Sequence, residues 1–162
     1  MTATATEFHL PEPRAAQPVM IVPGAFEALQ ALHAATAKAG LRARLSELVN
    51  LRASQINGCG VCVEMHADAL KRMGDSDERI WGVAAWREAP YFTDAERVAL
   101  ELAEELTRLA DRPAVVSDEL WERATQHYDE TQLAALTIAI AGINVWNRLN
   151  VATRQVAGSY KA

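Results

Sequence analysis

Apolar positions along this chain recur at threes and fours in seven successive stretches, the period of a helix rather than the alternation of a strand. Phe26, Leu29, Leu32 and His33 mark the first, which ends near Gly40. A second helix is expected from about Leu41 to Ile56, and a third from about Cys59 to Met73, with Gly74 as its stop. Asp75 or Ser76 caps a fourth, carrying Ile80, Val83, Ala84 and Trp86, and Pro90 ends it. Thr93-Asp-Ala-Glu96 is a capping box, in which hydroxyl and carboxylate satisfy free amide donors at a helix start. The helix it opens carries Val98, Leu102, Leu106 and Leu109. Ser117 begins a short helix through Trp121, and Asp129 opens the longest, from roughly Glu130 to Gln155.

Residues 1–23 break this period. Pro11, Pro13, Pro18 and Pro23 each remove a backbone donor and bias the preceding residue toward extended geometry. The segment is therefore expected to be an extended arm. Its Phe8, Leu10, Val19, Met20, Ile21 and Val22 make it apolar enough to pack on its own domain or on a neighbouring protomer. No run of alternating β-branched residues occurs. The expectation is an all-α chain of about seven helices in one domain, 24–162, preceded by the arm.

Composition adds limits. Half of the 162 residues are apolar, enough for a core without disulfide staples. The net charge of -5 is mildly acidic and no stripe of Lys or Arg forms, which argues against nucleic acid as a partner. Met1 to Glu7 has no basic start followed by an apolar stretch, so it does not read as a secretory signal. Leu133 to Val145, the most apolar segment, is too short to span a bilayer. A cytoplasmic setting is the expectation. There, two cysteines three apart are more often reactive or metal-binding than structural.

Those cysteines lie in Asn57-Gly-Cys-Gly-Val-Cys-Val-Glu-Met-His66. Asn57-Gly58 breaks the second helix, which places both cysteines in the first turn of the third. At about 100° per residue, His66 falls roughly 20° from Cys59 and about 40° from Cys62 around the axis, so all three share a face. Cys62 and His66 form an i, i+4 pair. Free amides and the helix dipole lower a thiol pKa at a helix start. A histidine one turn away can take the proton, and a second thiol can condense with an oxidised first one. These are the parts of a thiol peroxidase or a dithiol oxidoreductase. Two other readings stay open: a pair of inert helix cysteines, and a zinc site completed by a carboxylate or another histidine.

Glu47 lies at the edge of the apolar arc of the second helix, and periodicity alone makes it a half-exposed surface glutamate. With Glu47 included, the chain reads Glu, eleven residues, Cys59-Gly-Val-Cys62, three residues, His66. That pattern resembles the core motif of AhpD-like alkylhydroperoxidases, within the carboxymuconolactone decarboxylase superfamily. Leu51-Arg-Ala-Ser-Gln-Ile-Asn-Gly-Cys59, Trp86-Arg-Glu-Ala-Pro-Tyr-Phe-Thr-Asp-Ala-Glu96 and Asn144-Val-Trp-Asn-Arg-Leu-Asn150 also look like this family. The likeness spans roughly residues 40 to 150. It implies an all-α antioxidant fold that assembles into dimers, trimers or hexamers. It implies that Cys62 and Cys59 reduce organic hydroperoxides, that Glu47 and His66 relay protons to the thiols, and that an external dithiol restores the pair. In the best-known members that dithiol is lipoyl-type. No cofactor or resident metal is implied. Those members carry a histidine directly before the second cysteine. Val61 stands there in this chain, which leaves that proton-transfer role empty. The competing functions are a dithiol–disulfide oxidoreductase or redox sensor without peroxidase turnover, and a metal-binding or structural module.

Other polar residues read as structural. Arg52 falls inside the apolar arc of the second helix and must be paired, most simply in an ion pair between helices. His127 closes a short helix and complements its dipole. His33 is expected in the core or at an interface, and His9 in the arm. Trp81, Trp86, Trp121 and Trp146 read as packing residues. Trp146 with Asn144, Asn147 and Arg148 is polar for an apolar helix, which suggests a subunit contact or a wall of the redox site.

Overall fold

The structure is a computed structural model that describes residues 11–110, 112 and 115–159. These residues hold eight α-helices, one short 3-10 turn and no strand, as the periodicity predicts. The helices are α1 (Pro18–Ile21), α2 (Ala25–Lys38), α3 (Ala43–Asn57), α4 (Gly60–Arg72), α5 (Asp77–Gly82), α6 (Asp94–Thr107), α7 (Asp118–Thr125) and α8 (Glu130–Thr153). Several start signals act as read. Ser76 and Ser117 cap α5 and α7, and Thr93–Glu96 forms the full capping box of α6. Asp129 and Gln132 form a second box at the start of α8.

Three details differ from the sequence pattern. The segment before Pro23 is not extended throughout: α1 is a single helical turn with Pro18 in its first positions, where a missing N–H costs nothing. Residues 1–10 of the expected arm, with Phe8, His9 and Leu10, lie outside the described residues. The fourth helix stops at Gly82 and continues as the 3-10 turn Val83–Ala85. That turn leaves the Ala84 carbonyl free to accept from Arg52 at 3.1 Å. Helix α2 keeps its apolar stripe largely open: only Thr36 is buried, while Phe26 and Leu32 remain exposed.

Helix α3 is the centre because its apolar residues do not keep to one side. Leu45 and Val49 pack with α6, α7 and α8, against residues such as Leu102, Leu136 and Ile140. Leu48 and Leu51 face Leu70, Ile80, Val83, Trp86 and Leu100. Ala53 joins a third cluster with Cys59, Val61, Cys62 and Ile143. A helix apolar on several sides must be surrounded, and α3 is flanked by α4, α6 and α8. Its last turn is thereby held rigidly against α8.

One buried carboxylate ties this packing together. Glu104 on α6 is almost wholly enclosed, yet it accepts from Arg52 Nε at 2.8 Å, Trp86 Nε1 at 2.9 Å and Arg87 Nη1 at 2.6 Å. Arg52 is thus paired between helices, as its place in the apolar arc requires. Burial alone would raise the Glu104 pKa. The bonds from Arg87, Trp86 and Arg52 overcome that and hold it at about 2. The folded value lies below the ordinary 4.5, so the stabilisation is complete above about pH 4.5 and is lost as pH falls toward 2. Glu104→Gln leaves Arg52 poorly paired and should cost about 3 kcal/mol, a fall of roughly 10 °C in Tm. Urea unfolding at pH 5 and pH 3 should show the gap between wild type and variant shrinking at the lower pH; an unchanged gap would refute this role.

Candidate active site

The site begins with the way α3 ends. Gly58 takes a left-handed conformation, φ 68°, as the C-cap of α3, a backbone state that suits a residue without Cβ. The next amide, Cys59 N–H, bonds back to the Ser54 carbonyl at 3.0 Å. Cys59 is then left extended, φ -84° and ψ 95°, as the N-cap of α4 rather than within its first turn. The 100° count therefore applies to Cys62 and His66 but not to Cys59. The turn nevertheless brings the thiols together: both cysteines are free and buried, with their sulfurs 2.6 Å apart.

That closeness divides the pair electrostatically. The Cys59 thiol is drawn down to about 6, chiefly by a hydrogen bond from the Cys62 thiol, against burial that raises it. Cys62 is pushed up by the same shared bond, by burial and by the charge on Cys59. The pair thus gives up one proton readily and holds the other, which the two sulfurs share. Asn150 and Asn147 lower both thiols, and Asn150 Nδ2 lies 3.2 Å from Cys62 Sγ.

Helix α8 delivers these amides. Asn144, Asn147 and Asn150 are buried at a spacing of three along one face of an otherwise apolar helix. Asn57 Nδ2 donates to both Asn144 Oδ1 and Asn147 Oδ1 at 2.9 Å, and Asn147 donates to Ser54 Oγ at 3.0 Å. Asn144 Nδ2 reaches Thr107 Oγ1 at 3.1 Å. Buried amides are tolerable only when bonded in this way. The network locks α8 to the last turn of α3, beside the thiols.

A cavity of about 650 Å³ opens over the pair, a size that suits a small organic molecule. Cys62 lies in its wall, with Glu47 and His66, and Cys59 sits behind. Glu47 is mostly buried rather than half-exposed, its side chain only 16% exposed, and its Oε2 lies 2.6 Å from His66 Nδ1. A neutral His66 therefore donates through Nδ1 and presents Nε2 as a base. Among the described residues no hydrogen bond joins His66 directly to either sulfur. Much of the remaining lining is apolar, with Phe26, Leu29, Leu32, Ile138, Ile143 and Trp146. Trp146 meets Phe26 edge to face, ring centroids 6.2 Å apart, and packs against the cysteine cluster. It is thus a wall of the site.

The remaining histidines are apart from the thiols. His33 is an exposed residue at the cavity rim, not a core residue, because α2 turns that side outward. His127 follows the last turn of α7 and lies beside Tyr128. Val61 is buried against the cysteines. Among the described residues no group of three or more His, Cys, Asp or Glu could hold a metal ion. None of their helices is long and apolar enough to cross a membrane. Asn150, Asn57, Ser54 and Gln17 were not singled out by sequence. The signal for Asn150 was present, as the third member of an Asn series spaced by three.

The carboxymuconolactone decarboxylase family pattern matches residues 23–105. The chain belongs to this family. It is 34% identical over 139 residues to the uncharacterized protein YdfG of Bacillus subtilis (strain 168), covering 86% of this chain and 93% of that protein. It is also similar to the crystal structure of a protein of unknown function from Agrobacterium tumefaciens that carries a provisional AhpD antioxidant-defence label. That match has a TM-score of 0.82 and 34% identity, and covers 90% of this chain and 98% of the other. The debrominase Bmp8 shares the fold, with a TM-score of 0.72 at 18% identity, covering 85% and 73% of the two chains. The AhpD-like architecture expected from the motif is therefore present.

The charge division is directly measurable. In reduced protein, ultraviolet thiolate absorbance should rise by one thiolate per chain with a midpoint near 6, while the second thiol stays protonated beyond the ordinary 9.0. Cys62→Ala removes the donor and should move the Cys59 midpoint upward. Two thiols titrating together near 9.0 would contradict the shared proton.

Proposed function

We propose that this protein is a thiol-dependent peroxidase that reduces organic hydroperoxides through Cys62 and Cys59 and is regenerated by an external dithiol. One observation carries the reading. The wall of a mostly apolar cavity holds a thiol, Cys62, backed by a second sulfur 2.6 Å away and accompanied by a carboxylate-oriented imidazole.

The chemistry follows from these positions. His66 Nε2, with its Nδ1 proton held by Glu47, takes the Cys62 proton through a water in the same step in which the Cys62 sulfur attacks the distal oxygen of R–O–OH, because a second thiolate beside that of Cys59 is strongly disfavoured. An S–O bond forms, the O–O bond breaks, and the leaving alkoxide takes the proton from the imidazolium. Cys62 is now a sulfenic acid and the alcohol departs. The Cys59 thiolate attacks Cys62 sulfur; an S–S bond forms, and hydroxide leaves as water after taking a proton from solvent. Thiol–disulfide exchange with a dithiol, of lipoyl type by resemblance to the best-known AhpD-like proteins, returns both thiols. The attacking role goes to Cys62 because it faces the cavity. The lower pKa of Cys59 suits a resolving thiolate already charged when the sulfenic acid appears.

We also infer that copies of the chain associate. Met20, Ile21 and Val22 are 71%, 64% and 57% exposed, and Phe26 and Leu32 of α2 are also exposed, large apolar side chains of the kind that a subunit contact covers. Light scattering at micromolar concentration should report an oligomer, and a monomer would overturn this.

Steady-state turnover of an organic hydroperoxide with a dithiol tests the main reading. Cys62→Ser should abolish turnover. Cys59→Ser should stop after one event, with a trappable sulfenic acid on Cys62. His66→Ala should slow the reaction about 100-fold. Normal turnover in Cys62→Ser would transfer the attacking role to Cys59. Thiol exchange without hydroperoxide consumption would favour the oxidoreductase or sensor, and stoichiometric bound zinc with protected thiols the metal-binding module.

A further inference from the structure

The proline-punctuated arm reaches the thiols through two amides. Residues ahead of α1 lie along the end of α8: Arg14 N–H donates to the Thr153 carbonyl at 2.8 Å, and Gln155 Nε2 donates to the Ala15 carbonyl at 2.8 Å. This seats the Gln17 side chain, only 9% exposed, inside the cavity wall. Gln17 Nε2 donates to Asn150 Oδ1. An amide whose oxygen is committed in this way must point its nitrogen elsewhere, and Asn150 Nδ2 points at Cys62 Sγ, 3.2 Å away.

We propose that Gln17 is a positioning residue for Cys62, acting through Asn150 by fixing which end of that amide faces the sulfur. A side-chain amide presents either a donor or an acceptor to its neighbour. With nitrogen toward Cys62 it favours the thiolate; with oxygen toward Cys62 it accepts from S–H and favours the thiol. Gln17 selects the first arrangement, since turning Asn150 alone would set two NH2 groups against each other. The cost is visible in the structure: Gln17 Oε1 is buried without a partner. An orphaned acceptor is expensive, but turning both amides together would set the Gln17 NH2 in that same unpartnered place, so it brings no relief. The arm is in this way part of the site.

The proposal rests on Cys62 as the reactive thiol, but its test needs neither peroxide nor reductant. A chain that consumes no hydroperoxide still tests it. In full-length Cys59→Ser protein, the pH dependence of Cys62 alkylation by iodoacetamide gives the Cys62 midpoint. Asn150→Ala should raise that midpoint by about one pH unit, and Gln17→Met by roughly half as much. The double variant should match Asn150→Ala alone, since Gln17 has nothing left to orient. A Gln17→Met shift that persists undiminished without Asn150 overturns the proposal, as does no shift from Gln17→Met where Asn150→Ala gives one. Should a Gln17 variant fail to fold, nuclear magnetic resonance on the Cys59→Ser protein decides. The side-chain NH2 signals of Gln17 and Asn150 should both titrate with the Cys62 midpoint. A Gln17 signal indifferent to Cys62 ionisation overturns the proposal.

Discussion

The left-handed turn at Gly58 sets where α4 starts, and the arrangement of the site follows from that starting point. Because α3 closes on Asn57 and the Cys59 amide bonds back to Ser54, Cys59 is extended and its side chain folds toward the first turn of α4. Cys62, in that turn, faces both Cys59 and the cavity. His66, one turn further, lies over the same opening, close enough to α3 for its Nδ1–H to donate to Glu47. Were α3 one residue longer, the sulfurs would separate and the imidazole would rotate about 100° away from the glutamate. The burial of α3 on three sides supplies the rigidity this requires. A helix that cannot roll or slide holds Glu47 and Asn57 at fixed places relative to α4 and α8.

The second organising feature is the polar face of α8. Buried amides stabilise little when satisfied and cost much when not. Asn144, Asn147 and Asn150 are accordingly met by Thr107, Asn57, Ser54 and Gln17, from three different parts of the chain. The network is specific for that reason: shifting α8 along its axis would orphan several amides at once. It also gives the thiols donors in an otherwise apolar setting, where burial alone would push both away from ionising. Glu104 applies the same logic at the other side of α3, where Arg52, Arg87 and Trp86 converge on one carboxylate. The two polar centres clamp α3 from opposite directions, one for packing and one for chemistry.

The contrast between the two sulfurs comes from position rather than identity. Cys59 is the more readily ionised and the less accessible; Cys62 is less readily ionised and faces the cavity. A nucleophile needs access, and a resolving thiol needs charge at the moment its neighbour is oxidised. Spacing along the helix favoured Cys62 for its nearness to His66, and the dipole argument favoured Cys59. Both arguments describe real features, and in the proposed reaction each belongs to a different step.

Local rules made most of the fold legible. Helical periodicity, capping residues and glycine stops depend on neighbours within a turn or two, so α2 through α8 could be read from the chain alone. The Cys59, Cys62 and His66 grouping was legible for the same reason, since it spans two helical turns. Glu47 was not: its periodic position pointed to the surface, and only resemblance raised it. What buries it is α4 crossing α3, a contact that no single helix encodes. The Arg52 pairing was foreseeable as a need, but its partner Glu104, fifty-two residues away, was not. Asn150 lies further still from Cys62 and from Gln17, 88 and 133 residues respectively. A side-chain amide carries no sequence mark of which end it will present. That choice is made by whatever tertiary structure sets opposite it, and here it is made by an arm that the sequence showed as proline-punctuated and apolar, without marking Gln17.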